Sequence, residues 1–139
     1  MKKEVSIVIE GAQLGSEEEP VVMTASGTYH LHKDRHYILY DEKSEEGEGI
    51  IKSTVKIALT KIELSKKGAN CSQMVFDINE ETIAIFQTPF GNLSFDVKTS
   101  EIILEESPDK LQVKLEYSLS SNDSIVSNNR IIILIESSV

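Results

Sequence analysis

The chain's three histidines, His30, His32 and His36, stand close together. Two histidines at i and i+2 on a strand share a face, and a third from a neighbouring strand completes an open three-ligand zinc site. If Lys33-Asp34-Arg35 is a three-residue loop, His36 falls opposite His32 and joins that face. The competing reading is a solvated hairpin tip beside Lys33, Asp34 and Arg35. It is preferred, because metal-bound imidazoles need hydrogen-bonded partners and the sequence identifies none. No metal and no cofactor is expected.

Cys71 is the lone cysteine. A reactive thiol needs a base or cation beside it, and nothing fixes Lys66 or Lys67 there, so a half-buried strand thiol is the simpler reading. Carboxylates come in neighbouring pairs: Asp41/Glu42, Glu45/Glu46, Glu80/Glu81 and Glu105/Glu106. Adjacent strand residues point to opposite faces, so none of these is a natural acid–base dyad. One of Asp41 and Glu42 must still point inward at a strand end, as the polar anchor of a pocket. If Leu39 faces in, that residue is Asp41. Glu45-Glu46-Gly47-Glu48-Gly49 has glycine spacing, but its acids repel phosphate. No nucleophile, base and orienting acid can be assembled, so no catalytic residue is assigned and an enzyme ranks last.

The elements that hold these residues follow period two. From Leu111 to Ser120 every odd position is apolar or aromatic and every even one polar. Such alternation gives a strand with one dry and one wet face. Leu93, Phe95 and Val97 repeat it, as do Ile51, Val55, Ile57 and Leu59, and the run from Val21 to His32. Turn signals recur between the runs: Lys33–Arg35, the Glu/Gly-rich Lys43–Gly49, Lys66–Asn70, Ser107–Lys110 and Ser121–Ser124, with a weaker one at Leu59–Lys61. In Thr88-Pro89-Phe90-Gly91, proline suits the second position of a type I turn and glycine the left-handed residue after it, so a three-residue hairpin loop is expected. No amphipathic helix emerges. About eight to ten antiparallel strands joined hairpin after hairpin must close as an up-and-down barrel or fold over as a sandwich. Ile131–Ile135 is apolar on both faces and should be covered on both, by the N-terminal segment or by a partner chain.

Two motifs carry a family resemblance. Asn70-Cys71-Ser72-Gln73-Met74-Val75-Phe76 resembles a Ser-Gln-Met-x-Phe strand. Gln87-Thr88-Pro89-Phe90-Gly91 resembles a Thr-Pro-Tyr-Gly turn, with Phe90 where the family usually has tyrosine. Tyr40-Asp41-Glu42 is similar to the family's Tyr-x-Glu strand end, and Leu119–Ile135 fits its final hairpin. The chain thus resembles the YwiB-like family of uncharacterised bacterial proteins over its whole length. The resemblance implies a lipocalin-like (calycin-type) β-barrel and no established catalytic residue. It leaves the roles of Ser72, Gln73, Met74, Thr88, Pro89, Phe90 and Gly91 open.

A chain of 139 residues, 40% hydrophobic and 27% charged, suits one folded domain spanning 1–139. Fourteen Lys and Arg against 23 Asp and Glu give −9, which argues against a nucleic-acid surface. A single cysteine, no secretory leader and no apolar run near the ~20 residues that span a bilayer point to the cytoplasm and away from a membrane. The leading expectation is a non-catalytic barrel that binds a small apolar ligand. With the apolar set facing in, its lining is Met23, Tyr29, Leu39, Met74, Phe76, Phe95 and Tyr117, with Asp41 as anchor. The alternative is an interaction module, monomer or homodimer, pairing through Ile131–Ile135. Third comes a metal-assisted enzyme using His30, His32 and His36.

Overall fold

The computed structural model describes residues 1–43, 49–68, 71–122 and 124–138. The acidic stretch 44–48, residues 69–70 and Asp123, all within predicted turns, lie outside the described residues. The strands are β1 (Glu4–Gln13), β2 (Val21–His32), β3 (Arg35–Lys43), β4 (Ile50–Ile57), β5 (Lys61–Lys67), β6 (Ser72–Asp77), β7 (Thr82–Thr88), β8 (Gly91–Ser107), β9 (Lys110–Ser121) and β10 (Ser124–Ser137). Each pairs antiparallel with its neighbours in sequence, and β1 pairs with β10 to close the barrel. Closure removes the sheet's free edges, which a half-wet, half-dry sheet of this size would otherwise expose. No helix of the described residues is long and apolar enough to cross a membrane.

Alternation decides the interior. Val5 and Ile7, Val55 and Ile57, then Leu111, Val113 and Leu115 are fully or almost fully buried, while their sequence neighbours are not. In β10 the inward set is Ile131, Ile133 and Ile135. The other face of that strand carries Ile132 and Leu134, half-buried. Both edges of β10 are hydrogen-bonded, to β1 and to β9. β10 thus offers no free edge for strand addition, and the N-terminal segment, β1, is the strand that takes the edge opposite β9.

Two local features set the phase of the alternation. A bulge between Thr99 and Glu101 switches β8 from odd inward positions (Phe95, Val97, Thr99) to even ones opposite the buried residues of β9 (Ile102, Leu104, Glu106). An extra residue on one strand does this by construction. The β2–β3 turn holds two residues, not three: Lys33 and Asp34 both have positive φ (50° and 63°), and His32 pairs with Arg35. That is the conformation of a type I′ turn, whose twist matches the flanking strands. It puts His36, Ile38, Tyr40 and Glu42 on the inner face of β3. Leu39, 44% exposed, and Asp41 face solvent, so the expectation that they line the interior is corrected by the missing loop residue.

At the opposite end, Pro89 and Phe90 form the β7–β8 turn, and Gly91 (φ 124°) pairs with Thr88. The glycine takes the positive φ expected of it, but inside the ladder, so two residues rather than three stand outside.

Candidate functional site

The barrel is solid at one end and loose at the other. The closed end carries the β2–β3, β4–β5, β6–β7 and β8–β9 turns. Its filling includes Ile7, Ile38, Ile57, Ile62, Phe76 and Ile135, all without solvent exposure. A polar chain caps the packing there. The Tyr29 hydroxyl lies 2.6 Å from His36 Nδ1, and His36 Nε2 lies 2.8 Å from Glu106 Oε1. With His36 neutral, Nε2–H donates to the carboxylate and Nδ1 accepts from the phenol. Burial, and then the negative charge of Glu106, raise the Tyr29 phenol above its ordinary value. His36 is only 5% exposed, whereas His30 and His32 point to solvent. The two-residue turn thus separates the three histidines, and among the described residues no group of His, Cys, Asp or Glu is placed to hold a metal ion.

Towards the open end the inward side chains are apolar but only half-buried: Ile9, Met23, Leu64, Met74, Phe86 and Tyr117. Two spaces open among them. A cleft of about 410 Å3 runs along Ile9, Met23, Tyr117, Asn129 and Ile131, with Glu18 and Glu19 at its rim. A smaller hollow of about 110 Å3 is walled by Ile9, Met23, Tyr40, Leu64 and Lys66. Ile9 and Met23 belong to both walls.

The inner wall of β3, β4 and β5 is polar at this height. Tyr40 pairs across with Ser53, and Ser53 with Lys66. Lys66 Nζ stands 3.3 Å from each oxygen of Glu42, aligned for a hydrogen bond to Oε2. Glu42 Oε1, although 3.3 Å from that ammonium, and Ser53 Oγ, beside the Tyr40 hydroxyl, are buried without a well-aligned hydrogen bond. Burial, then the charge of Glu42, push the Tyr40 phenol up to about 12 although the Ser53 hydroxyl pulls it back, and burial alone does the same to Tyr117. Both phenols therefore remain neutral donors in ordinary buffers. Tyr40 comes close to β2 because its cross-strand neighbour there is Gly27, where an added Cβ would stand 3.1 Å from Tyr40 Cβ.

Of the predicted lining, Met23, Met74, Phe95 and Tyr117 come from open-end positions, whereas Tyr29 and Phe76 belong to the solid end, Phe76 packed on Tyr117 with ring centroids 4.7 Å apart. Leu39 and Asp41 are replaced by Tyr40 and Glu42. Ser53, Lys66 and Ile9 were not foreseen as wall residues; reading Lys33-Asp34 as a two-residue turn finds Tyr40 and Glu42, but nothing local finds Ser53. The two sequence motifs prove adjacent, since Ser72 pairs with Phe86 and Gln73 with Ile85. Ser72 and Met74 turn inward beside Lys66 and Leu64, and Gln73 outward. Thr88 Oγ1 accepts from the Phe90 amide (3.2 Å) and donates to the Gly91 carbonyl (2.6 Å), with the Phe90 ring 99% exposed at the tip beside Pro89. A tyrosine hydroxyl at position 90 would therefore stand in solvent.

A family profile described as a domain of unknown function (DUF1934) matches residues 6–133. Among solved structures, the chain is similar to the ywiB protein from Bacillus subtilis, with a TM-score of 0.82 and 18% identity over 99% of this chain and 93% of that one. At that identity the likeness speaks for the fold alone. No match is found among curated proteins.

Proposed function

Since the chain belongs to the family described as a domain of unknown function (DUF1934), we propose a function from the barrel itself: a non-catalytic container that takes one small, largely apolar ligand into its open half. The observation that carries this reading is the gradient of packing along one interior. Residues such as Ile38 and Phe76 are fully buried, while Ile9, Met23 and Leu64, on the same inner face, border open space. A uniformly packed barrel would show no such gradient. A cleft of about 410 Å3 with mostly apolar walls and a few convergent polar groups has the size and chemistry of a small-molecule site. Met23, which borders both spaces, suits it, because unbranched thioether side chains adapt to irregular shapes.

The lipocalin-like reading of the fold agrees with this use, and the lone cysteine agrees with a cytoplasmic setting. The enzymatic alternative has less support. The hydrogen-bonded chain Tyr29–His36–Glu106 belongs to the solid end, and its phenol and imidazole are buried. Titration with a neutral fluorescent probe, N-phenylnaphthylamine, tests the proposal. We expect saturable one-to-one binding to the wild type and its loss in Met23→Trp, which fills the shared wall of both spaces. Absence of binding, or equal binding by the folded variant, refutes the container.

A further inference from the structure

We propose that the outer face of β1, β10 and β9 is the contact surface of a symmetric dimer, in which a second copy of this chain packs face to face with the two-fold axis running along β10.

The surface starts from a residue pattern. Ile131, Ile133 and Ile135 fill the barrel, so Ile132 and Leu134 between them face outward. The described elements are all strands of the barrel wall, so none of them lies over this face. By register, Val8 of β1 and Gln112 of β9 flank Leu134, and Glu10 of β1 and Lys114 of β9 flank Ile132. Val8, Glu10, Gln112 and Lys114 are half-buried, like the two apolar residues they flank. Among the described residues neither Glu10 nor Lys114 makes an ion pair within the chain.

This arrangement is complementary to itself. A half-turn about an axis along β10 brings Ile132 and Leu134 against their own copies and exchanges β1 with β9. Glu10 of each copy then faces Lys114 of the other, and Val8 faces Gln112. A two-fold axis across the strands would instead set Glu10 against Val8 and Lys114 against Gln112, leaving both charges unmatched. Charge thus selects the occupant and its orientation together: a second copy turned about β10 pairs both charges and joins the apolar centre.

The curvature of a closed barrel fits the same arrangement. Away from β10 the two walls diverge, so short aliphatic side chains meet on the axis while the longer Glu10 and Lys114 side chains span the widening gap. Sheets packed face to face cross at about 30°, which carries Arg130 and Glu136, at the ends of the row, away from their own copies. Arg130 is already neutralised within its chain by Glu116, at 3.0 Å. Contact over about three strands lies at the small end of specific interfaces, so the dimer is a weak one that dissociates in the micromolar range. It uses the outside of the wall and is therefore independent of the container.

Sedimentation velocity from about 1 μM to about 1 mM protein tests the proposal. The wild type is expected to pass from monomer to dimer across this range. Leu134→Asp sets like charges against each other on the axis and leaves the interior untouched, and it should stay monomeric. Glu10→Lys and Lys114→Glu should each weaken the dimer at least about tenfold, because each brings like charges together twice. Mixed in equal amounts, these two variants should associate with each other more tightly than either does with itself, a gain that loss of structure does not produce. A wild type that is monomeric throughout overturns the proposal and leaves the face to a different protein. A dimer undiminished in folded Leu134→Asp overturns it too, as does a mixture that associates no better than its components.

Discussion

Gly27 gives the sharpest test of how the interior is built, because replacing it with alanine should act against the usual rule. In a strand interior, Gly→Ala ordinarily gains about 0.5–1 kcal/mol by restricting the unfolded chain. At position 27 an added Cβ would press into the backbone carbonyl of Leu39, and it would stand 2.9 Å from Ile7 Cδ1 and 3.1 Å from Tyr40 Cβ. The carbonyl cannot swing away cheaply, since Leu39 is held in the β2–β3 ladder opposite Thr28. Ile7 and Tyr40 are themselves buried on both sides of the contact. Overpacking of a dense core costs typically ~1–3 kcal/mol, and here strand separation adds to it, so a net loss of about 1–3 kcal/mol is expected. For a domain of this size that lowers Tm by roughly 3–10 °C. Gly11 is the control: it lies on the neighbouring strand, and an added Cβ there meets nothing within 4 Å. Gly11→Ala should be neutral or slightly stabilising. Urea and thermal unfolding of the two variants, followed by circular dichroism, make the comparison. If Gly27→Ala is as stable as the wild type, or no worse than Gly11→Ala, then β2 and β3 do not approach as closely at Gly27 as this interior requires.

Other expectations follow from the same interior. Tyr40 and Tyr117 titrate near 12 in the folded protein against 10.0 when free. The folded state then holds these protons more tightly, so their contribution is intact below pH ~10 and is lost as pH rises towards about 12, by up to ~2 kcal/mol each. Urea stability measured across that window should fall less steeply in Tyr117→Phe; an unchanged slope refutes the assignment. At the closed end, Tyr29→Phe orphans His36 Nδ1 and should cost ~1–3 kcal/mol, Glu106→Gln under about 1 because that carboxylate is half exposed, and His30→Ala or His32→Ala within ~0.5. Denaturant titrations ranking His30 with Tyr29 would sink that reading. Replacing Lys33-Asp34 by Asn-Gly should stabilise the protein by about 1 kcal/mol, since both positions have positive φ. A Tm below the wild type's would show that the turn is not type I′.

Much of the architecture was legible because alternation is a local signal. Leu111–Ser120 and Val21–His32 announce their dry faces without reference to any neighbour, and hairpin after hairpin leads to a closed meander. What failed was phase. The run Tyr37-Ile38-Leu39-Tyr40 is apolar at both parities, so only the length of the preceding turn decides which half points in. One residue too many in that loop exchanged Tyr40 and Glu42 for Leu39 and Asp41, and gathered three histidines that the fold separates. The β8 bulge is a second phase change that no residue type announces. For Ile131–Ile135 the two-sided apolarity calls for cover by the N-terminal segment or by a partner chain, and it is the N-terminal strand β1 that pairs along one edge, with β9 on the other. The wall of Tyr40, Ser53 and Lys66 is assembled across three strands, and a cross-strand row of this kind has no signature within any one of them.

If the open half is a binding space rather than loose packing, a ligand should stay in it through purification. A crystal structure of the protein isolated from its native cells without refolding tests this most directly. Continuous non-protein density against Ile9 and Met23 is the expected result. Side chains of Met23, Leu64 and Tyr117 closed together, with only isolated waters between them, would contradict it.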